Sequence, residues 1–156
     1  MKNNGLSSNS FLITATAALP AIYAVPDASG TFFVTAALAG SASLVGNGAV
    51  DPRVARAAVA GDVLDLYMIG LGSTQDPSRF ITDRIFSGAY PVSASVMATV
   101  GGEPAPVLFA GLTASGLYLV RIQVPGDLAL GAHPIQLSVG NSNTRSLLAL
   151  IVGPAL

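Results

Sequence analysis

Apolar and polar residues alternate at period two in several short stretches of the chain. In the clearest of them, residues 92–100, valine or alanine occupies every second position. A second stretch, residues 118–124, places Arg121 and Gln123 between apolar side chains. Because successive side chains of a β-strand point to opposite faces of a sheet, each stretch predicts a strand with one buried face and one face in solvent.

Similar short strands recur along the chain, separated by glycine and proline, and no segment shows a sustained helical period. This spacing is typical of an antiparallel β-sandwich, and residues 61–152 alone contain about seven predicted strands, as in one immunoglobulin-like unit. The sequence therefore predicts an all-β, immunoglobulin-like antiparallel β-sandwich over residues 61–156, with an additional N-terminal strand segment. The predicted core residues are Val96, Val100, Tyr118, Val120, Ile122, Ile135, Leu137 and Val139.

Residues 1–60 are predicted to be an N-terminal extension. It contains an orphan strand at residues 11–18 and a linker strand at residues 31–38. The pair Ser8-Asn9 precedes Pro20-Ala21 at the same separation as Ser142-Asn143 precedes Pro154-Ala155. This repeated spacing suggests that the chain begins with the closing strand of one unit and continues through a whole second unit. The alternative is that two strands share these ends by chance.

Composition narrows the classes of function. Of the 156 residues, 51% are hydrophobic and only 10% are charged, whereas an average soluble domain is about 25% charged. The high hydrophobic fraction and the low charged fraction favour a protein selected for packing or assembly. The net charge of −1 lacks the excess of positive charge that binding to nucleic acid or to an anionic membrane requires. The most apolar stretch, residues 11–25, is interrupted by Pro20 and is shorter than the roughly 20 residues of a spanning helix, so we expect no membrane insertion.

No constellation of catalytic or metal-binding residues stands out. The chain has no cysteine, which excludes disulfides and thiolate chemistry. His133 is the sole histidine and no Gly-x-Ser-x-Gly motif accompanies it, so we interpret it as structural. Asp62 and Asp65 fall on opposite faces of one predicted strand and cannot act together in hydrolysis. We predict that the protein is not an enzyme and has no cofactor.

Several short motifs are similar to those of a known family. They are Gly61-Asp62-Val63, Gly70-Leu71-Gly72, Val100-Gly101-Gly102-Glu103-Pro104-Ala105, Gly116-Leu117-Tyr118 and Val124-Pro125. With them the chain resembles the uncharacterised bacterial C-terminal domain family first defined in Solibacter proteins, whose later half is similar to IPT/TIG immunoglobulin-like modules. The resemblance covers nearly the whole chain and implies a bacterial extracellular or cell-surface protein without catalytic residues. Here the family's first unit is represented only by its final strand.

We therefore expect a non-catalytic extracellular structural or assembly module, a subunit of a surface fibre joined by N-terminal strand addition. An unpaired strand exposes backbone donors and acceptors together with an apolar face, so it must dock on its own chain or on another subunit. A third interpretation is that the chain is one stretch of a longer surface protein. The expected partners are copies of itself or neighbouring immunoglobulin-like domains. The apolar residues of the predicted inter-subunit strand are Phe11, Leu12, Ile13, Ala15 and Ala17.

The alternative is a carbohydrate- or protein-binding module for adhesion, acting through the loop at residues 73–90. Aromatic and arginine side chains on the loop of a sandwich are typical of a contact patch. An ordinary long loop whose aromatic side chains fold back onto the core is equally compatible with the pattern. The predicted contact residues are Arg79, Phe80, Asp83, Arg84, Phe86 and Tyr90.

Overall fold

The computed structural model describes residues 2–3, 6–7, 12, 15–76 and 87–154. These residues form β-strands, turns and irregular chain, with no helix among them. The strands are β1 (Lys2–Asn3), β2 (Leu6–Ser7), β3 (Ala21–Ile22), β4 (Ala24–Pro26), β5 (Phe32–Val34), β6 (Ala36–Leu38), β7 (Leu44–Val45), β8 (Val63–Ile69), β9 (Ser87–Pro91), β10 (Val96–Val100), β11 (Glu103–Ala105), β12 (Val107–Ala114), β13 (Leu117–Gln123), β14 (Gly131–Val139), β15 (Ser142–Asn143) and β16 (Leu148–Val152).

Two seven-stranded sheets enclose the core. The first sheet has the order β11-β10-β14-β16-β5-β4, with β15 beside β14, and the second has the order β7-β6-β8-β13-β12-β9, with β3 beside β8. Among the described strands, β1 and β2 pair with each other and with no other strand. All pairs of strands are antiparallel except β16 with β5. The predicted immunoglobulin-like β-sandwich is therefore confirmed.

The pair β8 and β13 forms the centre of the second sheet. Their buried apolar residues alternate along each strand, so that Leu64 and Leu66 lie opposite Ile122 and Val120 in the core. On the outer face, the Arg121 guanidinium donates to both oxygens of Asp65, at 2.6 and 2.8 Å. A cross-strand ion pair of this kind contributes roughly 0.2–1 kcal/mol to the stability of the sheet. It also favours the observed pairing register of β8 and β13 over one shifted by a residue.

The predicted core residues lie between the two sheets. Six of the eight are buried: Val100, Val120, Ile122, Ile135, Leu137 and Val139. Val96 and Tyr118 are half-buried and pack against this core. The period-two pattern therefore identifies the inward face of β10, β13 and β14.

Two segments predicted as single strands are each divided between the sheets. The predicted linker strand at residues 31–38 is broken at Thr35, so β5 joins the first sheet and β6 joins the second. Thr35 is buried, and its hydroxyl donates to Asp51 at 3.2 Å. In the same way, residues 92–95 carry the chain from β9 in the second sheet to β10 in the first. Residues 92–96 keep their alternation through this crossing, with Ser93 and Ser95 exposed, which explains why the pattern predicted one strand there.

The turn between β10 and β11 needs glycine at both positions. Gly101 and Gly102 have φ values of +66° and +87°, and the flanking residues Val100 and Glu103 are paired. A two-residue hairpin turn of this hand places both residues in the left-handed region, where side chains other than glycine are strained.

Residues 21–60 belong to the same sandwich as the residues after them. The strands β3 to β7 lie in both sheets, and Val34, Ala36, Val45 and Ala58 are part of the one buried core. Ala58 also bridges to Val152 near the end of the chain. The predicted division into residues 1–60 and 61–156 therefore does not correspond to a division of the core.

Candidate functional site

The N-terminal segment, residues 11–18, was predicted to be a strand, and its described residues do not lie in one. Leu12 and residues 15–18 have no strand assignment, and Ala17 lies in a bend. Leu12 is 93% exposed, and Ala15, Thr16 and Ala17 are exposed as well. Phe11 and Ile13 lie outside the described residues. The expected strand is therefore absent from the part of the segment that the structure describes.

The chain becomes anchored immediately after this segment. The Leu19 amide donates to the Gly70 carbonyl at 2.8 Å, and Pro20 is buried. The Ser142 hydroxyl donates to the Ala18 carbonyl at 2.9 Å. Ser142 belongs to β15 in the first sheet, whereas Gly70 follows β8 of the second. Residues 18–20 thus cross one end of the sandwich and contact both sheets.

Gly70 and Gly72 make this close approach feasible. A Cβ atom at Gly70 would overlap the Leu19 carbonyl, and one at Gly72 would lie 2.6 Å from the Ala17 carbonyl oxygen. Both glycines also have positive φ, +78° and +84°. The Tyr118 hydroxyl donates to the Gly72 carbonyl at 2.6 Å, and burial raises the pKa of Tyr118, so the hydroxyl stays protonated as a donor. The Gly-x-Gly sequence therefore accommodates the incoming chain, which the sequence pattern alone did not indicate.

The predicted contact loop lies mostly outside the described residues. Arg79, Phe80, Asp83, Arg84 and Phe86 all fall within residues 77–86, so their grouping remains a prediction. Tyr90 is described: it is half-buried in β9 and lies opposite Leu112 of β12. At the start of the loop, the Gln75 amide donates to the Pro91 carbonyl at 2.9 Å. The loop therefore begins as an extension of the second sheet.

A surface feature that sequence reasoning missed lies on the outer face of the second sheet. This feature, the outer groove, has a volume of about 430 Å³. Its floor includes Tyr67 and Ile69 of β8, which are 38% and 57% exposed, while the intervening Met68 faces the core. A solvent-facing side of β8 that carries large apolar residues was a signal of this groove in the sequence. The outer groove is lined chiefly by Ala21, Tyr23, Leu44, Tyr67, Ile69 and Leu117.

A polar network closes one side of the outer groove. Arg53 donates through Nε and Nη2 to the two oxygens of Asp51, each at 2.9 Å, and through Nη2 to the Tyr23 hydroxyl at 2.9 Å. The buried Asp51 carboxylate also accepts from Thr35. The hydrogen bond from Arg53 is the main reason that the pKa of Asp51 falls to about 2. The carboxylate is therefore ionised at neutral pH and balances the arginine charge.

The remaining candidates for chemistry have structural contacts. Asp62 forms an ion pair with Arg56, at 2.7 Å, and Asp65 pairs with Arg121. A ring nitrogen of His133, Nε2, lies 2.6 Å from the Ala129 carbonyl oxygen. Among the described residues, no group of three or more histidine and acidic side chains is close enough to hold a metal ion.

Comparisons with protein-family models, with curated proteins and with solved structures find no match to this chain. Within the part of the chain that the structure describes, no helix is long and apolar enough to cross a membrane.

Proposed function

We propose that this protein is a non-catalytic structural module that assembles with copies of itself, by adding its N-terminal segment to another subunit. One observation carries the proposal. The segment is an uncharged run of apolar residues and threonines, and its described residues from Leu12 to Ala17 are exposed and outside any strand. Exposed apolar chain outside any strand favours strand pairing with another molecule.

The anchoring of residues 18–20 supports a contact between subunits. These residues are held on their own sandwich by Gly70 and Ser142, so the segment before them leaves from a fixed point. A donor segment at one place on the subunit and an acceptor elsewhere form a head-to-tail contact, and such a contact need not close into a ring. Repeated from subunit to subunit, it produces a fibre.

Composition supports assembly, and the resemblance supports a location outside the bacterial cell. A chain with only 10% charged residues has a surface suited to close packing against other subunits. The similarity of its motifs to a family of bacterial extracellular and cell-surface domains favours the same location. The proposal is thus a surface fibre subunit whose immunoglobulin-like sandwich is the repeating body.

Light scattering on two forms of the protein tests this proposal. The full-length chain is expected to form particles that grow with concentration far beyond the 15.6 kDa subunit. A chain lacking residues 1–14 retains the anchor at residues 18–20 and is expected to stay a folded monomer. As a control, a chain lacking only residues 1–7 keeps the N-terminal segment and should still assemble. A monodisperse full-length monomer at the highest attainable concentration would refute the proposal.

A further inference from the structure

The outer groove has the chemistry of a site for an apolar chain. Tyr67, Ile69 and Leu117 present apolar surface to it. The one charged side chain among its lining residues, Arg53, uses Nε and Nη2 on Asp51 and Tyr23. A sugar needs several polar groups directed at its hydroxyls, whereas an apolar side chain gains about 25 cal/mol for each Å² of its surface removed from water.

From this we infer that the outer groove receives the apolar residues Phe11, Leu12 and Ile13 of a second copy's N-terminal segment. The inference rests on the proposed function and adds one step to it: the backbone of the added segment pairs along a strand edge, while its apolar side chains enter the outer groove. Residues 11–18 carry no charge, and Arg53 at the groove is neutralised by Asp51, so docking desolvates no unpaired charge. The groove volume of about 430 Å³ lies within the range of protein ligand sites, about 300–1,000 Å³.

The course of the chain argues for a second copy as the source of the segment. After β8, Gly70 holds Leu19, and Ser142 of the first sheet holds Ala18. Followed backwards from Pro20, the chain therefore passes from the second sheet towards the first, away from the outer face on which the groove lies. A subunit's own residues 11–13 would have to reverse direction to reach the groove, whereas those of a second copy meet no such constraint.

Disulfide formation between single-cysteine variants tests the inference, because the natural chain has no cysteine. Phe11→Cys, Leu12→Cys and Ile13→Cys are each mixed with Ile69→Cys under mild oxidation, which excludes bonds within one chain. The matched control partner is Met97→Cys on the first sheet, 62% exposed against 57% for Ile69. A disulfide needs Cα atoms about 4.4–6.8 Å apart, so at least one N-terminal cysteine should link to position 69 at least about tenfold faster than to position 97.

A second variant separates this inference from the proposed function. Ile69→Asp places a charge in the groove and is expected to abolish assembly, whereas Met97→Asp should assemble normally, with melting temperatures checked for both. If Ile69→Asp still assembles and positions 69 and 97 link equally, the inference is wrong, although assembly that is lost without residues 1–14 would keep the proposed function. If the full-length chain does not assemble at all, both are wrong.

Discussion

Replacing Val120 with aspartate is expected to prevent the chain from folding. Val120 has no exposed surface and lies on β13 between its paired neighbours Leu66 and Ala110. A carboxylate at this position would be buried among apolar side chains without a partner, and its desolvation costs more than the lost valine contacts. This free-energy cost is comparable to the whole free energy of unfolding of a domain, about 5–15 kcal/mol.

Circular dichroism and solubility measure this effect directly. The matched control is Gln123→Asp, on the same strand with an exposed side chain, which should keep the β-sheet spectrum and remain soluble. Soluble Val120→Asp protein with an unchanged spectrum and melting temperature would contradict the assignment of β13 to the centre of the core.

Replacing Gly70 with alanine is expected to detach residues 18–20 from the sandwich and to destabilise it by at least about 2 kcal/mol. The new Cβ would overlap the Leu19 carbonyl, and the φ of +78° adds the strain of a left-handed backbone conformation. Because Pro20 is buried beside this contact, its displacement also exposes apolar surface. Urea unfolding measures the loss of stability, and faster protease cleavage within residues 18–20 measures the detachment.

Gly116→Ala is the control that separates the backbone strain of a positive φ from the steric overlap of a new Cβ atom. Gly116 has a similar φ of +74°, and no atom lies within 4 Å of the position of its Cβ. Strain alone should then cost about 1–2 kcal/mol, without cleavage near residue 19. Equal losses of stability in the two variants, with no new cleavage in Gly70→Ala, would mean that Gly70 does not hold the N-terminal chain.

Local alternation was enough to predict the central strands. In β13 and β14 the buried residues occupy every second position, so the sequence identifies both the strand and its inward face. It could not predict where a chain leaves one sheet for the other, as at Thr35, because the crossing depends on a buried hydrogen bond to Asp51, 16 residues away. Alternation describes a strand and carries no information about which sheet it joins.

The candidate sites depend on contacts between distant parts of the chain. The outer groove brings Tyr23, Leu44 and Leu117 to the face of β8, and no local pattern places these residues together. For the N-terminal segment, the sequence indicated an apolar run with strand propensity. Its exposure in the folded chain depends on the anchor at Gly70 and Ser142, which only the tertiary structure contains.

Amide hydrogen exchange in residues 11–18 tests the central claim of strand addition most directly. In dilute monomer, the amides of Leu12, Ala15 and Ala17 should exchange rapidly, because these residues are exposed and outside any strand. In concentrated, assembled protein, pairing with a second copy should slow their exchange by at least about tenfold. Equally fast exchange in monomer and assembly would contradict strand addition even if the particles grow.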